Sequence, residues 1–221
     1  MDSFGFRAAK ALFCCVCVLL TCRIALANES VELSRGVGPD GPQQPQVAVD
    51  SAGTIHVVYG VRNSVRYRRS EDAGRTFSEE TDLSFARVMS LGMRRGPRIT
   101  ATKRSICISA IGGRQGKGRD GDLLAVHSTD KGISWSEPVT VNDAGDAARE
   151  GLHAMASGPN GEICCVWLDL RNGATQIFAS MSGDGGKSWS KNNLVYKSPD
   201  KSICECCHPS AVFDARGHVH V

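Results

Sequence analysis

Apolar and polar positions in this chain alternate over short runs, and the runs are broken by glycine and polar turns. Pro45-Gln-Val-Ala-Val-Asp-Ser-Ala-Gly53-Thr-Ile-His-Val-Val-Tyr59 reads as a strand, a turn and a second strand, β-branched and partly of period two. The same layout returns at 152–167, in degenerate form at 97–111, and opens again at 208–221. Further strands are predicted over 65–69, 123–127 and 177–181, followed by short fourth strands such as 139–141. No segment keeps a helical period over a dozen residues. The pattern predicts an all-β protein built from units of four strands, about 50 residues each.

A second repeat falls between the third and fourth strands of each unit. Ser70-Glu-Asp72-Ala-Gly74-Arg-Thr-Phe77, Ser128-Thr-Asp130-Lys-Gly132-Ile-Ser-Trp135 and Ser182-Gly-Asp184-Gly-Gly186-Lys-Ser-Trp189 share S-x-D-x-G-x-x-[WF], with starts 54–58 residues apart. The Asp suits a tight turn as an acceptor of backbone N–H groups, the Gly supplies positive φ, and the aromatic pins the turn to the sheet. Asp72, Asp130 and Asp184 are therefore expected to be structural. The motif resembles the Asp-box, or BNR repeat, of the sialidase (neuraminidase) superfamily. That resemblance implies a sialidase-like β-propeller of six four-stranded blades. Blades are expected at roughly 45–90, 97–145, 152–200 and 208–221. Six blades at this spacing need roughly 300 residues, so the chain reads as about three and a half blades, the N-terminal part of a longer propeller.

In a four-stranded meander the A–B and C–D turns lie at one end, and the B–C and D–A connections at the other. The Asp-boxes are C–D turns and so mark the face away from the second set. By the resemblance, the site lies on that second face. Its loops are 60–64, 112–122 and 169–174, with 86–98, 142–153 and 198–208. They carry many charged residues, among them Arg62, Arg94, Arg95, Arg98, Arg114, Asp120, Arg149, Glu150, Asp169, Arg171 and Glu205. Several arginines around one mouth suit an anionic ligand, because guanidinium pairs bidentately with carboxylate.

Sialidases clamp a sialic acid carboxylate with arginines, use a Tyr paired with a Glu as nucleophile, and an Asp as acid/base. Carried onto Arg98-Ile99-Thr100, Arg114 and Asp120, the resemblance implies that Arg98 grips the carboxylate, Arg114 supports it and Asp120 donates the proton. Thr100 stands where the family has proline, and the remaining arginines, the Tyr and its Glu are expected from blades beyond these. Asp169, Arg171 and Arg62 are further candidate ligand contacts. A structural Arg–Asp pair and a glycan- or protein-binding site without turnover are the competing readings.

Residues 1–27 read as a secretory signal peptide: Arg7 and Lys10, an apolar run from Ala11 to Leu20, and Ala25-Leu26-Ala27 before the cut. Thr21 before Cys22 fits a lipoprotein signal poorly, so the protein is expected to be secreted or periplasmic, without a transmembrane segment after cleavage. Without the leader, 26 basic and 23 acidic side chains become 23 and 22, which leaves no basic footprint for nucleic acid and no polybasic membrane patch.

Four of the ten cysteines leave with the leader. Of the rest, Cys204-Glu-Cys206-Cys207-His208 lies in a site-face loop. Three readings stay open: a disulfide, with Cys164 or Cys165 as a partner; a zinc or copper site completed by His208; and a c-type haem attachment through Cys204-x-x-Cys207-His208. No cofactor is expected. His56, Cys107, Cys164 and His220 share a register on successive second strands and read as buried core.

Overall fold

Strand formation follows the alternation read from the sequence. In the computed structural model, which describes residues 30–200 and 202–221, the first sheet contains β1 (Gln43–Val49), β2 (Ile55–Val61), β3 (Ser64–Ser70) and β4 (Thr81–Leu83), antiparallel and in sequence order. The second holds β5 (Val88–Met89), β6 (Arg98–Ala101), β7 (Ile106–Gly113), β8 (Asp122–Ser128) and β9 (Val139–Thr140). The third runs β10 (His153–Ser157), β11 (Ile163–Asp169), β12 (Gln176–Ser182) and β13 (Asn193–Tyr196), and β14 (Val212–Phe213) with β15 (Val219–His220) opens a fourth. These are propeller blades. The signal-peptide reading lies outside the described residues. No helix among the described residues is long and apolar enough to cross a membrane.

One strand departs from expectation. β5 falls in a stretch read as loop, yet it pairs with the far end of β7 (Val88 with Gly113, Met89 with Gly112), on the edge where β6 takes the near end. The innermost strand of this blade is thus built in two pieces with residues 90–97 between them. That intervening segment is pushed out toward the loop face, where it walls a cleft.

Middle strands are buried on both faces because blades stack on blades. All seven residues of β11 and seven of the eight in β7 are buried. One core cluster joins Val58, Val65 and Tyr67 of the first blade to Ile106, Ile108 and Val126 of the second. The next joins Cys107, Ile111 and Leu123 to Ile163, Cys165 and Trp167. A third packs Ala154, Cys164 and Val166 against Ala211, Phe213 and Val219. Cys107, Cys164 and His56 are buried as expected, whereas His220 has an exposed side chain.

The Asp-boxes are C–D turns with the same bonding in each copy. Ser70, Ser128 and Ser182 donate through Oγ to Oδ1 of Asp72, Asp130 and Asp184 at 2.7–2.8 Å, and accept the N–H of Gly74, Gly132 and Gly186 at 2.8 Å. Each Asp Oδ1 accepts the N–H four residues on, from Thr76, Ser134 or Ser188. The three Asp are therefore turn organisers. Two repeated positions were missing from the motif as read. Thr76, Ser134 and Ser188 also donate their hydroxyls to the Asp. Ser78, Ser136 and Ser190 close the turn, each donating its N–H to the carbonyl before the box and accepting that residue's N–H on Oγ.

The aromatic does more than pin its own turn. Trp135 meets Tyr67 of the preceding blade edge-on, with ring centroids 5.0 Å apart, and Trp189 packs on the cluster shared with the second blade. Gly132 and Gly186 are buried against that preceding blade. A Cβ on Gly132 would overlap the Tyr67 hydroxyl, and one on Gly186 would sit 2.9 Å from Cys107 Sγ. At Gly74 the nearest atom is Ile55 Cδ1 at 3.6 Å. Asp-boxes two and three rivet blade to blade.

These contacts set an acid response in two stages. Burial holds the imidazoles of His56 and His153 below their ordinary value of 6.5, so both are neutral in the fold. The unfolded chain binds protons there that the fold does not, so stability falls as pH drops through about 6.5. Hydrogen bonds from Thr76 hold Asp72, and those from Ser134 hold Asp130, well below the usual carboxylate range. Burial pushes Asp184 up, but bonds from Ser188 and Ser182 outweigh it and leave it at about 2. Their contribution is complete above 3.8 and is lost as pH falls toward 2. Melting temperature against pH is expected to fall first between 7 and 5 and again below 4; a flat profile from 7 to 5 would contradict the neutral histidines.

Candidate functional site

The loop face is where the backbone is held in unusual conformations. Among the described residues, nine non-glycine residues have positive φ, and six of them, Arg62, Arg87, Met93, Arg94, Lys117 and Asp146, belong to its loops. Such conformations persist only where the surroundings over-determine them, and they concentrate at functional sites.

Arg98, expected to grip a carboxylate, is buried and fully occupied. Its Nε donates to His153 O (3.1 Å), Nη1 to Gly96 O and Pro97 O (3.2 and 2.8 Å), and Nη2 to Arg94 O (2.6 Å) and His208 Nε2 (2.5 Å). All five N–H groups are spent, so none is free for a ligand. Burial lowers its pKa to about 10, which keeps it cationic at neutral pH. Arg98 instead ties together the starts of three successive inner strands: its own, that of His153, and the one after His208. Its partners lie up to 110 residues away in sequence, which is why the local Arg-Ile-Thr pattern gives no sign of them.

Asp120, expected to donate a proton, is also engaged. Its carboxylate accepts the N–H groups of Arg114 (2.7 Å), Gln115 (3.0 Å) and Gly116 (2.8 Å). Burial would raise its pKa, but these bonds win and lower it. A Cβ on Gly113 would overlap the carboxylate, so glycine there is what admits it. Asp120 is an ionised loop organiser with no proton to give at neutral pH. Arg114 is exposed, 3.9 Å from Asp120 and 3.4 Å from Asp146, and lines a depression of about 410 Å³ with Arg87 and Asp122. The structure thus brings Arg114 and Asp120 together but assigns Arg98 elsewhere.

Arg171 and Asp169 form a clamp. Arg171 Nε and Nη2 fork onto Asp169 Oδ1 and Oδ2 at 2.9 and 2.8 Å, while Nη1 reaches Asp143 Oδ1 and Nη2 also reaches Asn192. Trp167 Nε1 donates to Asp169 Oδ2 at 2.7 Å, and the guanidinium stacks 4.1 Å over the Phe178 ring. Asp143 precedes the third blade and Asn192 precedes its outer strand, so the clamp fastens a connection to a blade. Arg62 makes an exposed pair with Asp40 at 3.1 Å. Neither arrangement leaves a buried, unpaired cation for a ligand.

All six cysteines of the described residues are free; Cys164 and Cys165 lie buried in β11, whereas Cys204, Cys206 and Cys207 are exposed, so no disulfide joins the two groups. His208 is turned onto Arg98 and away from the thiols.

The loop face does hold a cleft, of about 430 Å³, walled by Val88, Met89, Ser90 and Leu91, with Arg95, Lys117, Arg149 and Glu150 at its polar side. This volume lies within the roughly 300–1,000 Å³ of small-molecule sites. Arg95 Nε donates to Glu150 O at 2.6 Å and so holds two D–A loops in register. Three cations face one carboxyl. Burial, helped by the charge of Glu205 and opposed by Arg95 and Arg149, raises the Glu150 pKa. The sequence placed Arg95, Arg149 and Glu150 on this face but did not single them out. The apolar floor from β5 was not visible at all.

A radial stack of four-stranded antiparallel blades, with Asp-box turns at one end and a charged cleft at the other, is a sialidase-like β-propeller. The family profile of the BNR repeat-like domain matches residues 39–219, and the chain belongs to that family. None of the curated proteins matches it. Among solved structures it is similar to a protein of unknown function from Dyadobacter fermentans, at 16% identity and a TM-score of 0.55, over 81% of this chain and 56% of that one. It is also similar to the α-L-arabinofuranosidase Arb93A of Fusarium graminearum (17%, 0.53, 78% and 52%). An α-L-arabinanase of Penicillium chrysogenum follows (15%, 0.52, 76% and 54%). These likenesses are of fold, and the chain spans a little over half the length of each.

Proposed function

We propose that the protein is an exported glycoside hydrolase of the sialidase type, whose loop-face cleft takes an acidic, sialic-acid-like sugar. The observation that carries this is the cleft itself: three cations, Arg95, Lys117 and Arg149, around one carboxyl with a raised pKa. Cations on the rim suit a sugar carboxylate. A carboxyl whose pKa is raised keeps its proton closer to neutrality, which is what a general acid toward a leaving glycosidic oxygen requires. Glu150 takes that role in place of Asp120. The Penicillium arabinanase was solved with arabinobiose, which is in keeping with a glycan ligand on this fold. Export rests on the leader read at residues 1–27.

A second reading, a glycan-binding propeller without turnover, has its own support. Glycoside hydrolysis uses two groups flanking the scissile bond, and among the described residues Glu150 is the one carboxyl lining this cleft. Hydrolysis of a fluorogenic sialoside by the full natural polypeptide separates the two. Turnover that Glu150→Gln abolishes supports the first reading; saturable binding of the sialoside without turnover supports the second. Neither binding nor turnover would reject both.

A further inference from the structure

The thiols at 204–207 play no part in the cleft, yet they are placed together. Among the described residues, the Sγ atoms of Cys204, Cys206 and Cys207 form a group of ligand atoms all within 4.8 Å of one another. A single turn makes them converge: Cys207 N–H donates to Cys204 O at 3.2 Å, which brings three of its four side chains to one point. All three are exposed, while Cys107, Cys164 and Cys165 are buried in β7 and β11. Free cysteine is among the most buried residue types, and exposed thiols oxidise readily. Three in four consecutive residues, facing each other in solvent, offer three sulfur donors to one point.

The donor type selects the ion. Soft thiolate sulfur prefers Cu⁺ and Zn²⁺ and discriminates against hard oxygen-seeking ions such as Mg²⁺ and Ca²⁺. Metal–sulfur bonds of about 2.3 Å set neighbouring sulfurs about 4 Å apart around one ion, inside the observed limit. Cys204 and Cys206 stand closer, at 2.6 Å, and need to part by about 1.4 Å to admit an ion of that size. Their exposure leaves room for that movement. His208 is held by Arg98, so the set is three sulfurs, with a further position open to solvent.

We propose that the 204–207 turn binds one thiophilic d¹⁰ cation, Zn²⁺ or Cu⁺, through the three thiolates of Cys204, Cys206 and Cys207 on the loop face of the propeller. This holds whether or not the cleft turns over a glycan. Binding releases the thiol protons and changes no oxidation state, so no further reactant is needed.

The full polypeptide, reduced and kept free of oxygen, is titrated in one arm with Co²⁺ as a probe of the zinc site, and in the other with Cu⁺ against a chromogenic chelator. One equivalent per chain in either arm is expected, with thiolate-to-cobalt charge-transfer absorption in the first, and the arm with the tighter binding names the ion. Cys206→Ser is expected to weaken binding at least tenfold while leaving the metal-free melting temperature unchanged, and Cys204→Ser to do the same. No stoichiometric uptake by the reduced wild type in either arm would overturn the proposal. So would uptake that both serine variants retain.

Discussion

Gly132→Ala is expected to cost about 4 kcal/mol, while the same change at Gly74 costs about 1 kcal/mol. The two glycines hold the same place in two copies of one motif, with φ of +81° and +86°, so the penalty for a side chain in the left-handed region is common to both. They differ in what the new methyl meets. At Gly132 it overlaps the Tyr67 hydroxyl, and Tyr67 cannot swing aside. Asp50 accepts from His56 Nε2 at 3.4 Å, which leaves His56 Nδ1 to accept the Tyr67 O–H at 2.8 Å. Trp135 closes the other side of the ring. At Gly74 the space is open. Urea unfolding of the two variants measures the difference directly. Equal costs would mean that the Asp-box stabilises only its own turn and does not fasten neighbouring blades.

Glu150→Gln is expected to reduce sialoside turnover by about 10²–10⁴-fold, the usual contribution of a positioned general acid. The substitution keeps the shape of the side chain and leaves the Arg95 bond to the Glu150 carbonyl in place, so the loops stay in register and binding is kept. Asp120→Asn acts differently: it puts an NH2 donor in place of one of the two oxygens that accept the N–H groups of Arg114, Gln115 and Gly116, and so shows itself first as lost stability. A Glu150→Gln variant with unchanged kcat would take the proton-donor role away from this residue.

How far the sequence carried depended on whether the deciding contact was local. Strand, turn and blade were legible because alternation and the S-x-D-x-G repeat are short-range, and the sorting of loops to one face followed from meander geometry alone. The hydroxyls at Thr76, Ser134 and Ser188 and those at Ser78, Ser136 and Ser190 were equally local and equally repeated, and could have been read. Arg98 was not legible, because its role is fixed by the carbonyl of His153 and by His208 on other segments. A loop aspartate such as Asp120 looks the same whether it faces solvent or its own backbone; Gly113 and the N–H groups of 114–116 decide it. The pairing of β5 with the end of β7 was hidden because two residues carry no periodicity.

The claim on which the rest stands is that ligand binds on the face opposite the Asp-box turns. Hydrogen exchange of the full polypeptide, with and without N-acetylneuraminic acid, tests it most directly. Slower exchange on adding the sugar is expected in segments 86–98, 112–122 and 142–153, with none in 70–78, 128–136 and 182–190. Protection confined to the Asp-box segments would contradict the account.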